Sequence, residues 1–413
     1  MQKETPSRSH TGFLIVIAIS VVFYILGKNY TPNTSLLLGY GEWFKKVAEG
    51  SILHQFAWLI SDWGDAAFQK TVLGGILLIL GATLAHLAMG KRSIVIKGMP
   101  EGMPLTGTGQ VCYGTGLFPH VLAAQIIGAF TSNILYAKMF TLPDIGFVAT
   151  FVPIVSVAPS AILMFGGGPK KVITAGILAG VICTPLAHLI NAAYVVPNNL
   201  SVVIGFVASM TIGGAIVFQA CNFIPWMKVE EQADPPESTT EEDTPKTIPE
   251  KEISPTSFFI RKVLSDFTDA NFYGNELAGL LFIIGGLIIF MLSPANVAYG
   301  SGIFLIILAS QFLTSAIGVY LYWDKVLELP FYPTYIPVVT IAPVMVLTYG
   351  TGIHVVIVGA ALGALLGPPI GSLISLNLPK GWHPYLGFTF SMGVNTFIIG
   401  AILSFLPGFG LPW

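Results

Sequence analysis

Tyr113-Gly-Thr-Gly-Leu-Phe118 returns later in the chain as Tyr299-Gly-Ser-Gly-Ile-Phe304. Three more stretches return in the same order. Ser61-Asp-Trp-Gly-Asp-Ala-Ala-Phe68 becomes Ser265-Asp-Phe-Thr-Asp-Ala-Asn-Phe272, and Phe151-Val-Pro-Ile-Val-Ser-Val-Ala-Pro159 becomes Tyr335-Ile-Pro-Val-Val-Thr-Ile-Ala-Pro343. Gly205-Phe-Val-Ala-Ser-Met210 becomes Gly387-Phe-Thr-Phe-Ser-Met392. Matches kept in order are an internal repeat, not shared composition. A long repeat in an apolar chain is the plan of many transporters, which place the solute site between the halves.

The class follows from composition. Hydrophobic residues make up 54% and charged residues 10%, with a mean hydropathy of +0.76, far from a soluble domain. Apolar runs of about 20 residues, long enough to cross a bilayer, recur throughout. The net charge of -2 and the lack of a basic stripe argue against a nucleic-acid partner. Cys112, Cys183 and Cys221 lie in or beside apolar segments without metal-ligand spacing, so they read as small buried residues. The run from Thr11 to Leu26 follows Lys3 and Arg8 but lacks a small-residue cleavage site, so it reads as a retained helix.

The expected fold is an all-α integral membrane protein of about 11 transmembrane helices, one N-terminal helix plus two inverted five-helix repeats. Residues 1–49 hold the first helix and an interfacial segment, 50–227 the first repeat, 228–257 an acidic linker and 258–413 the second repeat. The first repeat offers spans near 71–90, 114–137, 145–165, 171–195 and 200–224; the second near 276–293, 301–323, 332–350, 354–376 and 385–406. The linker is rich in Glu, Asp, Pro, Ser and Thr and reads as disordered.

Five helices per repeat put equivalent loops on opposite sides, and the charges agree. With the N-terminus inside, the inner segments carry Lys3, Arg8, Lys91, Arg92, Lys97, Lys170, Lys171, Lys228, Lys246, Lys251, Arg261, Lys262, Lys325 and Lys380. The outer segments carry only Lys28, Lys45, Lys46, Lys70 and Lys138. Pro169-Lys-Lys171 corresponds to Ile353-His354, where both lysines are gone, while the uncharged Pro197–Leu200 turn corresponds to the one carrying Lys380. The expected location is the cell membrane, with the N-terminus and linker cytoplasmic and the C-terminus outside.

Repeated polar residues are the candidate site. Asp62 and Asp65, then Asp266 and Asp269, precede a helix in each half. One reading makes them caps for free backbone N–H groups; the other makes them a cation-coupling site, because a carboxylate in a membrane is costly. Prolines six apart, Pro153/Pro159 and Pro337/Pro343, should break one span per half and free backbone carbonyls. Ser156 and Thr340 lie between them, and Gln125 and Gln311 fall mid-helix at equivalent positions. These four are the expected substrate-binding set, with Phe68, Phe272, His188 and Asn395 as further candidates. Gly359, Gly363, Gly367 and Gly371 form a stripe suited to close packing, expected where the two halves meet.

Phe272-Tyr-Gly-Asn-Glu-Leu-Ala-Gly-Leu-Leu-Phe282 resembles the Asn-rich Pro-Leu-Ser-Gly-Leu-Leu stretch that begins each half of urea transporters. Asn275, Leu277, Gly279, Leu280 and Leu281 match, with Glu276 in place of proline. The element ending Ile336-Pro-Val-Val-Thr-Ile-Ala-Pro343 resembles that family's Leu-Pro-x-x-Thr-x-Pro-Phe, with one residue added and no following Phe. The resemblance implies the same inverted-repeat fold, with Phe68 and Phe272 sandwiching solute and Ser156 and Thr340 lining its path. A related fold carries flavin in sodium-pumping redox complexes through a Ser-Gly-Ala-Thr motif; here Leu80-Gly-Ala-Thr83 lacks the serine, so no cofactor is expected.

The favoured function is a channel or facilitative transporter for a small neutral or weakly polar solute. Its partners would be that solute and the lipid bilayer, with homo-oligomerisation left open. An ion-coupled or anion carrier and a non-transporting membrane subunit are the alternatives. No HExxH or GxSxG motif is present, so an enzyme is not expected and no metal site is proposed.

Overall fold

Ser9 accepts a hydrogen bond from the backbone N–H of Gly12 and so caps the first helix, α1 (His10–Asn29). One side of α1 packs inward, with Phe23 stacked 5.6 Å from Phe312 and the Ser20 hydroxyl bonding Ala309 O at 2.7 Å. Leu14, Val21, Val22 and Ile25 face outward and exposed, where a bilayer would cover them. The computed structural model describes residues 7–89, 93–96, 112–142, 147–228, 250–329, 331–379 and 381–409. Lys3, Lys91, Arg92, Lys97, Lys246, Lys380 and most of the linker lie outside the described residues.

α2 (Tyr40–Ala48) buries Tyr40, Trp43 and Val47 and exposes Glu42, Lys45 and Lys46, as an interfacial helix does. α3 (Ile52–Ser61) runs through a tight turn, Asp62–Ala67, into α4 (Val72–Met89), and the chain bends there by 73°. α5 (Phe118–Leu135) follows. Pro153–Val157 forms a π-turn leading into the short α6 (Ala158–Phe165), and α7 (Pro169–Ile190) and α8 (Val202–Phe223) complete the first half.

A similar order of elements follows from Pro255 onward. α9 (Pro255–Asp266) passes through the turn Asp269–Asn271 into α10 (Glu276–Leu292). α11 (Phe304–Leu321) and the short α12 (Trp323–Glu328) come next. Turns over residues 334–340 lead into a short α13 (Ile341–Tyr349), then α14 (Ile353–Leu376) and α15 (Tyr385–Ser404). Apart from a four-residue parallel pair, Ser93–Ile96 with Glu250–Ile253, the described fold is helical. That pair and α9 place residues 250–257, the far end of the acidic segment, in regular structure.

Seven helices are long and apolar enough to cross a membrane, or eight if the bent pair α3–α4 counts as one span. The segments expected to be broken by paired prolines are short, 153–165 and 341–349.

The glycine stripe packs differently from expectation. A Cβ on Gly359, Gly363 or Gly367 would meet Met345, Ile341 or Pro337 of the same half, so the stripe makes room for the broken segment beside it. The close seam between halves is α4 on α10, where Gly74 faces Gly285 and Gly81 faces Ala278.

Candidate functional site

Phe68 and Phe272 have the same unusual backbone, φ 64° and 66°, in the left-handed region that side chains seldom occupy. Each closes the turn that carries an aspartate pair. None of the four aspartates caps the N-terminus of α4 or α10. Thr71 Oγ1 accepts from Gly74 N at the start of α4, and Asn275 Oδ1 accepts from Leu277 N at the start of α10.

The carboxylates instead surround buried lysines. Lys70 Nζ donates to Asp62 and, at 2.6 Å, to Asp65. Asn133 donates to Asp62 at 2.9 Å and the Tyr299 hydroxyl to Asp65 at 3.0 Å. In the other half Lys262 Nζ donates to Asp266 and, at 3.0 Å, to Asp269. Ser315 and Thr334 donate to Asp266 at 2.6 and 2.9 Å. All six charged side chains are at most 2% exposed. Lys70 and Lys262 are therefore core residues rather than the loop charges that the topology count took them for: a buried ammonium is stable only where carboxylates compensate its lost hydration.

Gln125 and Gln311 hold the halves together. Gln125 Nε2 donates to Ile154 O at 2.8 Å and to Asn271 O at 3.0 Å. Gln311 Nε2 donates to Val338 O at 2.9 Å and to Ala67 O at 3.2 Å. Each amide thus ties its own half's broken segment to the aspartate turn of the other half. Gln125 Oε1 also accepts from the Tyr273 hydroxyl.

An aromatic triad stands beside each turn. Ring centroids of Phe147, Phe151 and Phe206 lie 5.4–6.1 Å apart, and those of Phe331, Tyr335 and Phe388 lie 5.6–6.5 Å apart. Lys70 Nζ sits 5.8 Å from the Phe147 ring, and Lys262 Nζ sits 5.9 Å from the Phe331 ring. Phe151 and Tyr335, and Phe206 and Phe388, fall inside the motifs that reveal the repeat. Phe147 and Phe331 recur four residues before a motif begins, which is the signal that a longer comparison of the halves would have caught.

A cavity of about 390 Å³ lies against the first triad. Phe68, Phe147, Phe151 and Phe206 line it from the first half, and Val339, Thr340 and Val344 from the second. Asp65, Ala66, Ala270, Tyr299 and Tyr385 close its inner end. Its rim, Leu200, Ser201, Val202, Leu347 and Thr348, is half-buried to exposed. That rim lies toward the end of α1 at which Lys28 bonds Thr351.

Of the expected site residues, Phe68, Thr340 and Asp65 line this cavity. Thr340 Oγ1 donates to Ile336 O at 2.5 Å, which leaves its lone pairs to accept. Pro343 has no N–H to offer Val339 O, so a carbonyl of the cavity wall lacks its helical donor. Ser156 is buried beside cavity-lining Val155 and does not line the cavity; its Oγ has no partner among the described residues. Phe272 packs 4.6 Å from the Tyr385 ring. Asn395 is fully buried one turn from cavity-lining Met392, its amide unpartnered among the described residues. His188 is half-buried on α7, away from the cavity lining, and Asp62, Asp266 and Asp269 stand behind the walls in their lysine clusters.

Such a site is apolar and aromatic over most of its surface, with hydroxyls, a carbonyl and one lysine-paired carboxylate at its inner end. It suits an uncharged molecule with a polar edge better than a fully hydrated ion. No family model, curated protein or solved structure matches the chain.

Proposed function

We propose that this chain is a facilitative membrane transporter or channel for a small neutral or weakly polar solute, with its path between two inverted five-helix repeats. The cavity is the observation that carries the reading: its walls come from both halves and its inner end lies at the aspartate turns. In this reading α1 is the first of eleven crossings. Each repeat contributes a bent entering segment, one broken helix and three full helices. The paired φ values, lysine clusters, amide bridges and aromatic triads support such a pseudo-twofold. The resemblance to urea transporters points the same way.

A coupled carrier is the second reading, because Asp65 belongs to the cavity wall and its cluster holds two carboxylates for one ammonium. Osmotic shrinkage of proteoliposomes with uncharged solutes of graded size separates the two. Passive conduction gives flux above protein-free vesicles that is unaffected by proton or sodium gradients. Thr340→Val, which keeps shape and deletes a hydroxyl, should weaken apparent affinity about two- to tenfold, the equivalent of one hydrogen bond of roughly 0.5–1.5 kcal/mol. No flux for any solute overturns the reading; flux only under an ion gradient selects the coupled one.

A further inference from the structure

We propose that Phe272, Phe331, Tyr335 and Phe388 form a second binding site that Tyr385 fills as a tethered ligand. When that ring leaves, the site takes a planar neutral hydrogen-bond donor of about phenol's size. The proposal deepens the reading of a solute path and rests on it only for the direction of passage.

The open cavity and this second region are built alike, from an aromatic triad, a left-handed Phe and a lysine cluster. They differ in what stands in the middle. At the position of Val203, which lines the open cavity, the second half has Tyr385. The Tyr385 ring lies 4.6 Å from Phe272, and the His383 ring lies 6.2 Å from Phe272. The Tyr385 hydroxyl donates to Val155 O at 2.6 Å and to Ala270 O at 3.4 Å. Val155 O is a carbonyl whose helical donor is missing because residue 159 is proline. A phenol held by packing on one aromatic and by hydrogen bonds to bare carbonyls is how a site would hold a small ligand.

Ser156 gives an independent indication. Its counterpart Thr340 lines the open cavity, yet Ser156 is 1% exposed with Oγ unpartnered among the described residues. A buried hydroxyl without a partner is rare in a finished core. It is expected where a polar molecule is a transient occupant. The open and filled sites share Tyr385, which lines the first and packs on Phe272 of the second, so solute passing from one to the other must displace it.

The test needs no transport. In a background with Cys112, Cys183 and Cys221 replaced by alanine, Thr340→Cys and Ser156→Cys are introduced singly and reconstituted. A charged methanethiosulfonate is applied from each side. Thr340→Cys should react from one side whatever stands at 385. Ser156→Cys should be protected with Tyr385 in place. With Tyr385→Val, which installs the residue of the open cavity, it should react at least tenfold faster, from the opposite side. Phenol should then slow labelling of Ser156→Cys but not of Thr340→Cys.

Tyr385→Phe is the second variant, keeping the ring and losing both carbonyl bonds. It should raise labelling of Ser156→Cys about two- to tenfold, as expected for hydrogen bonds of roughly 0.5–1.5 kcal/mol. Unchanged protection in both variants overturns the second site, as does labelling that phenol does not slow. The labelling pattern without solute flux would remove the proposed function and leave the site standing. Flux without the pattern would do the reverse.

Discussion

Replacing Lys70 by methionine tests whether the aspartate turn is held by charge. The substitution keeps most of the stem's volume and deletes the ammonium that both Asp62 and Asp65 share. What remains is one hydrogen bond to each carboxylate, from Asn133 at 2.9 Å and from Tyr299 at 3.0 Å. Removing one partner of a buried ion pair costs about 3–5 kcal/mol, because the other charge is left uncompensated. Since one ammonium serves two carboxylates here, the upper end of that range is expected. At roughly 2 °C per kcal/mol for a large domain, Lys70→Met should lower the midpoint of thermal unfolding by on the order of 10 °C. Cys112, Cys183 and Cys221 are buried and free, so a maleimide dye that fluoresces on reaction reports unfolding in detergent directly. Adding Asp62→Asn and Asp65→Asn to Lys70→Met replaces the charged cluster by neutral groups that Asn133 and Tyr299 can still bond. A neutral replacement of a buried cluster is often close to isoenergetic, so the triple variant should recover most of the loss. A single variant as stable as the parent, or a triple variant no better than the single, would refute the charge argument.

Gln125→Leu and Gln311→Leu each strip two backbone carbonyls of their donor and should each cost about 1–3 kcal/mol. Gln125→Leu should be the worse, since it also strands the Tyr273 hydroxyl; equal or negligible losses in the same unfolding assay would count against the amide bridges. For topology, Ser238→Cys should react with an impermeant thiol reagent only from the cytoplasmic side, and a cysteine placed near Phe409, which is itself buried, only from outside. Labelling of Ser238→Cys in intact cells would reverse the orientation.

The helices and their breaks were legible because both are local properties. Apolar runs mark the spans, and Pro153, Pro159, Pro337 and Pro343 mark where a helix cannot bond itself. The aspartate pairs were visible too, but their partners were not. Lys70 follows its pair and Lys262 precedes its own, so aligning the halves sets Lys262 against Trp58 and Lys70 against Gly274. In the fold, Lys70 reaches back to place its ammonium 4.0 Å from the Trp58 ring, near the position that Lys262 fills in the other half. The chemistry is repeated while the residue supplying it has moved across the turn, and no comparison by position can find that. The partners of the Gln125 and Gln311 amide N–H groups were hidden for another reason: they are backbone carbonyls, one in each half, which carry no residue signature. Discounting Lys70 and Lys262 as buried removes one charge from each side of the expected topology, so the excess of inner over outer basic residues is unchanged.

The amide bridges also bear on how a solute would move. Gln125 of the first half grips the turn at Asn271, and Gln311 of the second grips the turn at Ala67, so each half's aspartate turn is fastened by the other. The seam of α4 on α10 adds Gly285 against Gly74 and Gly81 against Ala278, approaches too close for a Cβ on Gly285 or Gly81. Rocking one half against the other would break both amide bridges and open that seam together. Rotating the Tyr385 side chain breaks its bonds to Val155 O and Ala270 O, a ring contact with Phe272 and local packing around one buried ring, and leaves the bridges and the seam in place. At about 0.5–1.5 kcal/mol per hydrogen bond, the local route is the cheaper one. A path opened by a side chain, between halves that stay locked, is the behaviour of a passive conduit, and that inequality favours the passive reading over the coupled one.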